Sequence, residues 1–360
     1  METRQADPVC GKPVTVAEGT PSAECRGEIS YFCSEACRAK FLCDPDKTLE
    51  DYLYDVVIVG GGPAGISAGI YAALSGLDTL FLTKSLGGQA WDSTAVVNYP
   101  GFEIISGPDL VDLFQRQLFE NLHLAHQICG VTGLEKVRDV FTLTTDSGQT
   151  YRARAVLLTT GMKRRRMGIP GEEEFRGKGV MEFHALLAER FADKEVAVVG
   201  GGNSALQAAL GLAGKGARVA VASRSFRADQ YLQAQAAASE RIVLLRNRDP
   251  ARIEGSHRVE VLVVKNLDTG AEEVLPVEAV FVEIGLVPSS ELVRDLVHLN
   301  ARGEVEVDRN CRTGLPGLFA AGDVTNTAGK RILIAAGEGA KAVLAVAEYL
   351  QSREATDPNP

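Results

Sequence analysis

One pattern constrains this chain more than any other, and it occurs twice: a short apolar strand, a glycine turn of the form G-x-G-x-x-G/A, then a helix. The first copy reads Asp55-Val-Val-Ile-Val-Gly60-Gly61-Gly62-Pro63-Ala64-Gly65, the second Glu195-Val-Ala-Val-Val-Gly200-Gly201-Gly202-Asn203-Ser204-Ala205. The glycines let the backbone turn tightly and approach a pyrophosphate, which the helix N-terminus receives with free N–H groups and a partial positive charge. A lone glycine turn is weak evidence. Two, each between its own strand and helix, predict two Rossmann-like units and two bound dinucleotides.

At 360 residues the chain has room for two or three domains. Hydrophobic residues at 45% and charged residues at 24% are the balance of a soluble globular protein. The net charge of −9 argues against nucleic acid as a partner. No apolar run approaches the roughly 20 residues of a membrane span, and the N-terminus lacks the layout of a signal peptide. A cytoplasmic protein with no membrane partner is expected.

From Tyr52 onward strands and helices alternate, as in doubly wound α/β folds. The pattern predicts a helix over 66–77, a β-meander over 132–136, 140–145 and 150–154, and a separate buried strand over 155–160. In the second unit it predicts a strand pair over 259–265 and 273–276 and a buried strand over 280–284. The stretch 317–350 reads as a strand, a turn at Gly322-Asp323 and a long Ala-rich helix.

Residues 1–50 stand apart as a small module with a predicted strand over 29–32, a helix from Ser34 to Phe41 capped by Ser34, and a linker from Asp44 to Leu49. Five of the seven cysteines fall here: Cys10, Cys25, Cys33, Cys37 and Cys43. In a reducing compartment such a cluster points to a metal rather than to disulfides. Cys33 and Cys37 are four apart, so both thiols could face one side at the start of the helix, and Cys10 would approach from the opposing turn. Cys25 or Cys43 would complete a thiolate site for Zn(II) or another thiophilic metal. About 50 residues bury too little apolar surface to fold unaided, so a metal would supply what the core lacks.

From Tyr54 to Leu350 the chain resembles the low-molecular-weight thioredoxin reductases. The resemblance rests on the two glycine turns, Gly87-Gly88-Gln89, Val97-Asn98-Tyr99-Pro100-Gly101, Thr159-Thr160-Gly161-Met162-Lys163-Arg164-Arg165, Ile169-Pro170-Gly171-Glu172-Glu173 and Phe319-Ala-Ala-Gly322-Asp323-Val324. It implies an α/β fold with two Rossmann-like dinucleotide-binding domains beside the cysteine-rich module. The FAD domain would comprise 51–161 and 288–360, with an NAD(P)H domain inserted over 162–287, in a homodimer. Gly60, Gly62 and Gly65 would hold the FAD pyrophosphate, with Pro63 and Ala64 in the same turn. Gln89 and Asn98 would lie by the flavin and Asp323 would bond the ribityl chain or pyrophosphate. Gly88, Thr160, Gly161, Gly322, Arg331 and Ile332 would complete that site. Gly200, Gly202, Asn203 and Ser204 would cradle the nicotinamide nucleotide, with Gly285 nearby. After the next strand the family carries arginines for the 2′-phosphate of NADPH. Here Arg224 and Arg227 remain, Ser225 replaces one arginine, and no acidic residue occupies the strand end where NAD-specific sites place one. The expectation is NADPH, with NADH as the alternative.

The family's redox dithiol is missing. Alignment of 180–194 without a gap puts Phe183 and Leu186 where its two cysteines belong, and neither side chain can carry a disulfide. Electrons would leave the flavin by another route, as in the dithiol-free ferredoxin–NADP reductases of similar type. His184 lies inside this segment as a candidate proton donor. Resemblance also assigns the N-terminal cysteines to small metal-binding modules of the YHS/TRASH type. The expected activity is an FAD-dependent NAD(P)H oxidoreductase whose acceptor is a redox protein, a metal ion or a small molecule. The alternatives are a metal- or redox-responsive flavin-binding sensor with little turnover, or an electron transferase like the ferredoxin–NADP reductases.

Overall fold

The computed structural model describes residues 4–9, 13–25, 27–43, 45, 52–93, 95–121, 124–183 and 185–354. The chain divides into two compact units: 1–162 with 288–360, and 163–287. No helix among the described residues is long and apolar enough to cross a membrane.

The first unit opens with the module. Strands β1 (Arg4–Ala6) and β2 (Pro13–Thr15) pair antiparallel, as do β3 (Ser22–Cys25) and β4 (Glu28–Tyr31), and helix α1 (Glu35–Cys43) follows. The sequence pattern points only to β4 and α1. Ser34 does cap the helix, its hydroxyl accepting the Cys37 N–H at 3.2 Å. The stretch read as a linker lies outside the described residues apart from Pro45. Among the described residues the module shares its core with the sheet that follows. Val9, Phe32 and Phe41 join a cluster that contains Tyr52, Tyr54 and Leu80 of the following sheet. The Tyr54 hydroxyl donates to the Val9 carbonyl at 2.8 Å, and Lys40 pairs with Asp78 while lying 4.7 Å from the centre of the Tyr54 ring. A piece too small to bury enough surface by itself is completed by the neighbouring sheet.

That sheet begins with β5 (Leu53–Gly61), α2 (Pro63–Leu74) and β6 (Thr79–Leu86), followed by α3 (Gly107–Gln115), β7 (Ala125–Ile128), β8 (Val131–Val137), β9 (Val140–Thr145) and β10 (Thr150–Leu158). Its order is β7-β6-β5-β10-β9-β8. The helix α2 starts at Pro63 rather than at residue 66, because proline fits the first helical turn, where its missing N–H is no loss. One correction concerns β10, which the sequence divided at Ala155. It is continuous: Arg152–Leu158 pair parallel with β5, while on the opposite edge Thr150–Ala153 pair antiparallel with β9.

The chain then passes through β11 (Met162–Arg164) into the second unit, with β12 (Val180–Met181), β13 (Glu195–Val199), α4 (Asn203–Gly214), β14 (Arg218–Ser223), α5 (Gln230–Ala237) and β15 (Ile242–Arg246). Next come β16 (Arg248–Gly255), β17 (Val259–Asn266) and β18 (Glu272–Pro276), a separate antiparallel sheet, and then β19 (Ala279–Val282) and β20 (Leu286–Pro288). The main sheet here is parallel in the order β12-β19-β13-β14-β15. The sequence reading missed β16 because Pro250 lies within it. The register shifts between Pro250 and Arg252, and such an irregularity accommodates a proline that cannot donate to the ladder. Strands β11 and β20, through which the chain enters and leaves, pair with each other.

Back in the first unit, β21 (Leu318–Ala320) adds to β10 in parallel over Val156–Leu158, and α6 (Ile332–Glu354) ends the described chain. Strands β5, β10 and β21 therefore deliver the fingerprint, Thr159–Gly161 and Gly322-Asp323 to one end of one sheet.

Candidate functional site

At that end, one residue before β5 stops, lies Gly60, whose φ of 118° no ordinary side chain adopts readily, and a Cβ there would lie 2.4 Å from the Thr159 carbonyl oxygen. The Thr159 hydroxyl donates to the Val59 and Gly60 carbonyls at 3.0 and 2.9 Å, locking the two strand ends together. Two residues on, a Cβ at Gly62 would meet nothing within 4 Å. Gly62 is also the N-cap of α2, and no side chain caps that helix. Open space in front of uncapped N–H groups fits a pyrophosphate. Pro63 and Ala64 form the first turn, and Gly65 packs against Gly60, leaving no room for a Cβ.

The remaining residues assigned to the first dinucleotide divide into two sets. The short turn holding Gly88 and Gln89 is tied to the fingerprint by the Gly87 N–H, which donates to the Gly61 carbonyl at 2.7 Å. Gln89 donates to the Met162 carbonyl at 2.9 Å, and the Thr160 hydroxyl to the Ser289 carbonyl at 2.6 Å. The Gly161 carbonyl accepts the Ser289 N–H. Gly322 abuts Ala64, where its Cβ would clash at 2.8 Å, so Asp323 stands beside the start of α2. Burial pushes the Asp323 carboxyl above the usual carboxylate range, against the pull of Lys330. Asn98 is exposed in the loop closed by the Val96–Ile105 bridge, and Arg331 is exposed just before Ile332 opens α6. Sequence reading missed Glu338. This buried carboxylate accepts the Gly322 N–H at 3.1 Å and the Thr327 hydroxyl at 2.7 Å, holding the Asp323 turn in place.

The second fingerprint repeats these features. Gly200 has a φ of 144° and no room for a Cβ beside the Glu283 carbonyl, whereas Gly202 caps α4 and faces open space. Asn203 and Ser204 are exposed in the first turn. The Asn203 side chain donates to Asp229 at 2.9 Å and accepts the Asp229 N–H at 2.9 Å. Arg227 is exposed, its N–H bonded to the Gly201 carbonyl. Arg224 follows β14 directly, and its Nε and Nη2 both reach Asp249, at 2.8 Å each. Gly285 has a φ of 92° beyond β19, and its carbonyl accepts the Arg165 N–H.

In the segment without cysteines, Met181, Phe183, Ala188 and Phe191 join one hydrophobic cluster. The Phe183 ring stands edge-on to Phe281 at 6.1 Å, against the bare backbone of Gly211, and its N–H donates to Glu283 at 3.1 Å. Leu186 lies in the short helix Ala185–Phe191. His184 lies outside the described residues.

In the module, Asp7, Cys33 and Cys37 bring one ligand atom each to within 4.8 Å of one another, and the two sulfurs are 3.7 Å apart. Asp7 was not among the expected ligands. Its carboxylate accepts the Val9 N–H at 2.8 Å and the Cys33 N–H at 2.7 Å, and burial pushes its pKa up. Cys10 lies outside the described residues, and Cys25 and Cys43 are not part of this group. Cys43, the last residue of α1, is exposed. From Tyr54, which holds Val9, to Gly60 the strand β5 runs about 20 Å, so the cysteine group and the fingerprint lie toward opposite ends of it.

Residues 54–343 match the family described as pyridine nucleotide-disulphide oxidoreductase. The chain belongs to that family. It is a family of flavoenzymes, and the fold is thioredoxin reductase-like. This oxidoreductase is similar to an NADH dehydrogenase of Bacillus subtilis, with 36% identity over 299 residues, 82% of this chain and 58% of the relative. It is also similar to a component of the alkyl hydroperoxide reductase of Pseudomonas aeruginosa, with 36% identity over 85% of this chain and 60% of the relative. The chain thus spans about three-fifths of the length of these curated relatives. Among solved structures it resembles Lactococcus lactis thioredoxin reductase, with a TM-score of 0.71 and 33% identity over 83% of this chain and 99% of the other.

Proposed function

We propose that this chain binds FAD at the Gly60–Gly65 turn and a nicotinamide dinucleotide at the Gly200–Ala205 turn, and that it reduces an acceptor without a cysteine pair in its nucleotide-binding unit. The observation that carries this reading is Phe183. Both fingerprints keep the glycines and the open helix ends that a pyrophosphate needs. Where the family places its first redox cysteine, a partly buried aromatic ring is instead packed against Phe281 of the core.

Bound FAD would supply the step between a two-electron hydride donor and an acceptor taking electrons singly or in pairs. The protein's own part is binding and orientation. The α2 N-terminus receives the pyrophosphate, Asp323 accepts from a ligand hydroxyl, and Glu338 fixes the turn that carries it. In the second unit α4 and the Arg224 loop receive the dinucleotide. The acceptor is a redox protein, a metal ion or a small molecule reached without thiol exchange.

The module is read as a YHS/TRASH-like site for Zn(II) or another thiophilic cation held by Asp7, Cys33 and Cys37, with Cys10 as a further ligand. Two thiols and a buried carboxyl suit such an ion, whose charge would offset the desolvation of Asp7. The separation along β5 favours a structural or docking role for this metal over exchange with the flavin.

The test is anaerobic titration of the flavin-loaded chain with NADPH and NADH, followed by addition of a disulfide substrate, ferricyanide and a quinone. Bleaching of the flavin band, with reoxidation by ferricyanide or quinone but not by the disulfide, is expected. Rapid turnover of the disulfide would refute the dithiol-free route, and a flavin that neither nucleotide reduces would favour the sensor.

A further inference from the structure

The β14 end carries no acidic residue in sequence, yet the folded chain supplies one. Strand β15 lies beside β14 with Ser223 opposite Arg246, and the chain leaving β15 turns at once into β16, bringing Asp249 to Arg224. Both carboxylate oxygens are used: Asp249 accepts from Nε and from Nη2 of Arg224, each at 2.8 Å. This fork is the geometry with which a guanidinium would grip a phosphate, so the carboxylate occupies the bonds a 2′-phosphate would make. In this fold the residue just past the second strand reads the 2′ position of the adenosine ribose.

We propose that Asp249 is a specificity-determining residue that competes with the 2′-phosphate for Arg224 and so restrains the preference of this site for NADPH over NADH. The inference rests on the reading of the second fingerprint as the nicotinamide-dinucleotide site. With Asp249 in place, NADPH must displace one carboxylate and then sit beside its negative charge. NADH, with two ribose hydroxyls, needs no such displacement. The other charged groups of this loop do not repeat the clamp. Arg227 extends into solvent, Asp229 is engaged with Asn203, and Arg246 lies over the Phe226 ring at 5.2 Å. Arg224 is 72% exposed, so the competition is that of a solvent-screened pair, enough to tune a preference and too little to abolish binding of either nucleotide.

The test is calorimetric titration of the flavin-loaded full chain with NADP+ and with NAD+, for the native sequence, Asp249→Asn, Arg224→Ala and the double variant. Asp249→Asn should tighten NADP+ about fivefold and move NAD+ less than about twofold, the scale of an exposed ion pair. The gain should vanish in the Arg224→Ala background and shrink in about 0.5 M salt. Asp249→Ser serves the same purpose if the asparagine variant melts early. Unchanged or weaker NADP+ binding in both Asp249 variants, or equal tightening of both nucleotides, overturns the proposal and leaves the dinucleotide site standing. Failure of the native chain to bind either nucleotide overturns both.

Discussion

Gly60 and Gly62 are two residues apart and require glycine for opposite reasons. At Gly60 the backbone angle and the Thr159 carbonyl exclude a side chain, so Gly60→Ala should cost about 1–3 kcal/mol of stability. At Gly62 a methyl group meets only open space. Gly62→Ala should therefore melt within about 1 kcal/mol of the native protein yet retain much less flavin. Thermal melts of the flavin-free proteins, paired with absorbance of the flavin-loaded ones, separate the two effects. Equal flavin retention by Gly62→Ala would remove the pyrophosphate from this turn. Cys129 offers a pH test at the same scale. Burial, with Asp146 beside it, pushes its thiol from 9.0 up to about 11. The folded chain holds that proton where the unfolded chain has lost it, so this residue's contribution to stability falls as pH rises from 9.0 towards 11. Alkylation of native Cys129 by iodoacetamide should still be accelerating at pH 10, whereas in denatured protein it levels off near the ordinary thiol value of about 9.

At the scale of elements, the segment between β12 and the short helix Ala185–Phe191 is held by aromatic packing. Phe183 meets Phe281 edge-on, as does Phe191 at 5.2 Å. Removing the ring leaves a gap among Gly211, Phe281 and the helix. Phe183→Ala should destabilise the protein by about 2–3 kcal/mol, at the low end for a phenylalanine because the residue is only partly buried. Chemical denaturation reads this directly, and an unperturbed midpoint would show the ring to be a surface group. Much of this level was legible in the sequence, because strand–turn–helix order and buried apolar runs are local signals. The failures were those of pairing. The strands β1 to β3 carry too few residues to show a period, β16 is hidden by Pro250, and β10 reads as two strands because one of its edges passes from β9 to β21 while the other stays on β5.

Across the whole molecule, the N-terminal module depends on the first unit's sheet and, in our reading, on a metal ion. Treatment with a zinc chelator should expose residues 4–43 to proteases while leaving the flavin band unchanged, since Tyr54 and Gly60 are separated by about 20 Å of strand. Tyr54→Phe removes the bond to the Val9 carbonyl and should weaken module docking by about 1 kcal/mol, seen as faster cleavage at matched metal content. Flavin loss in parallel with metal loss would contradict this independence.

Residues alone were enough to read the two glycine turns, the helices they feed, the absence of cysteine from 180–194 and the cysteine-rich start of the chain. Each is written in residues adjacent or a few positions apart, where backbone geometry leaves few alternatives. It took the folded chain to show that Asp249 pairs with Arg224, that Asp7 stands with Cys33 and Cys37, and that Glu338 holds the turn of Asp323. The hydrogen bonds that join these partners span 16 residues from Gly322 to Glu338, 25 from Arg224 to Asp249 and 26 from Asp7 to Cys33. What brings them together is strand register and the packing of buried surface, which no local pattern encodes.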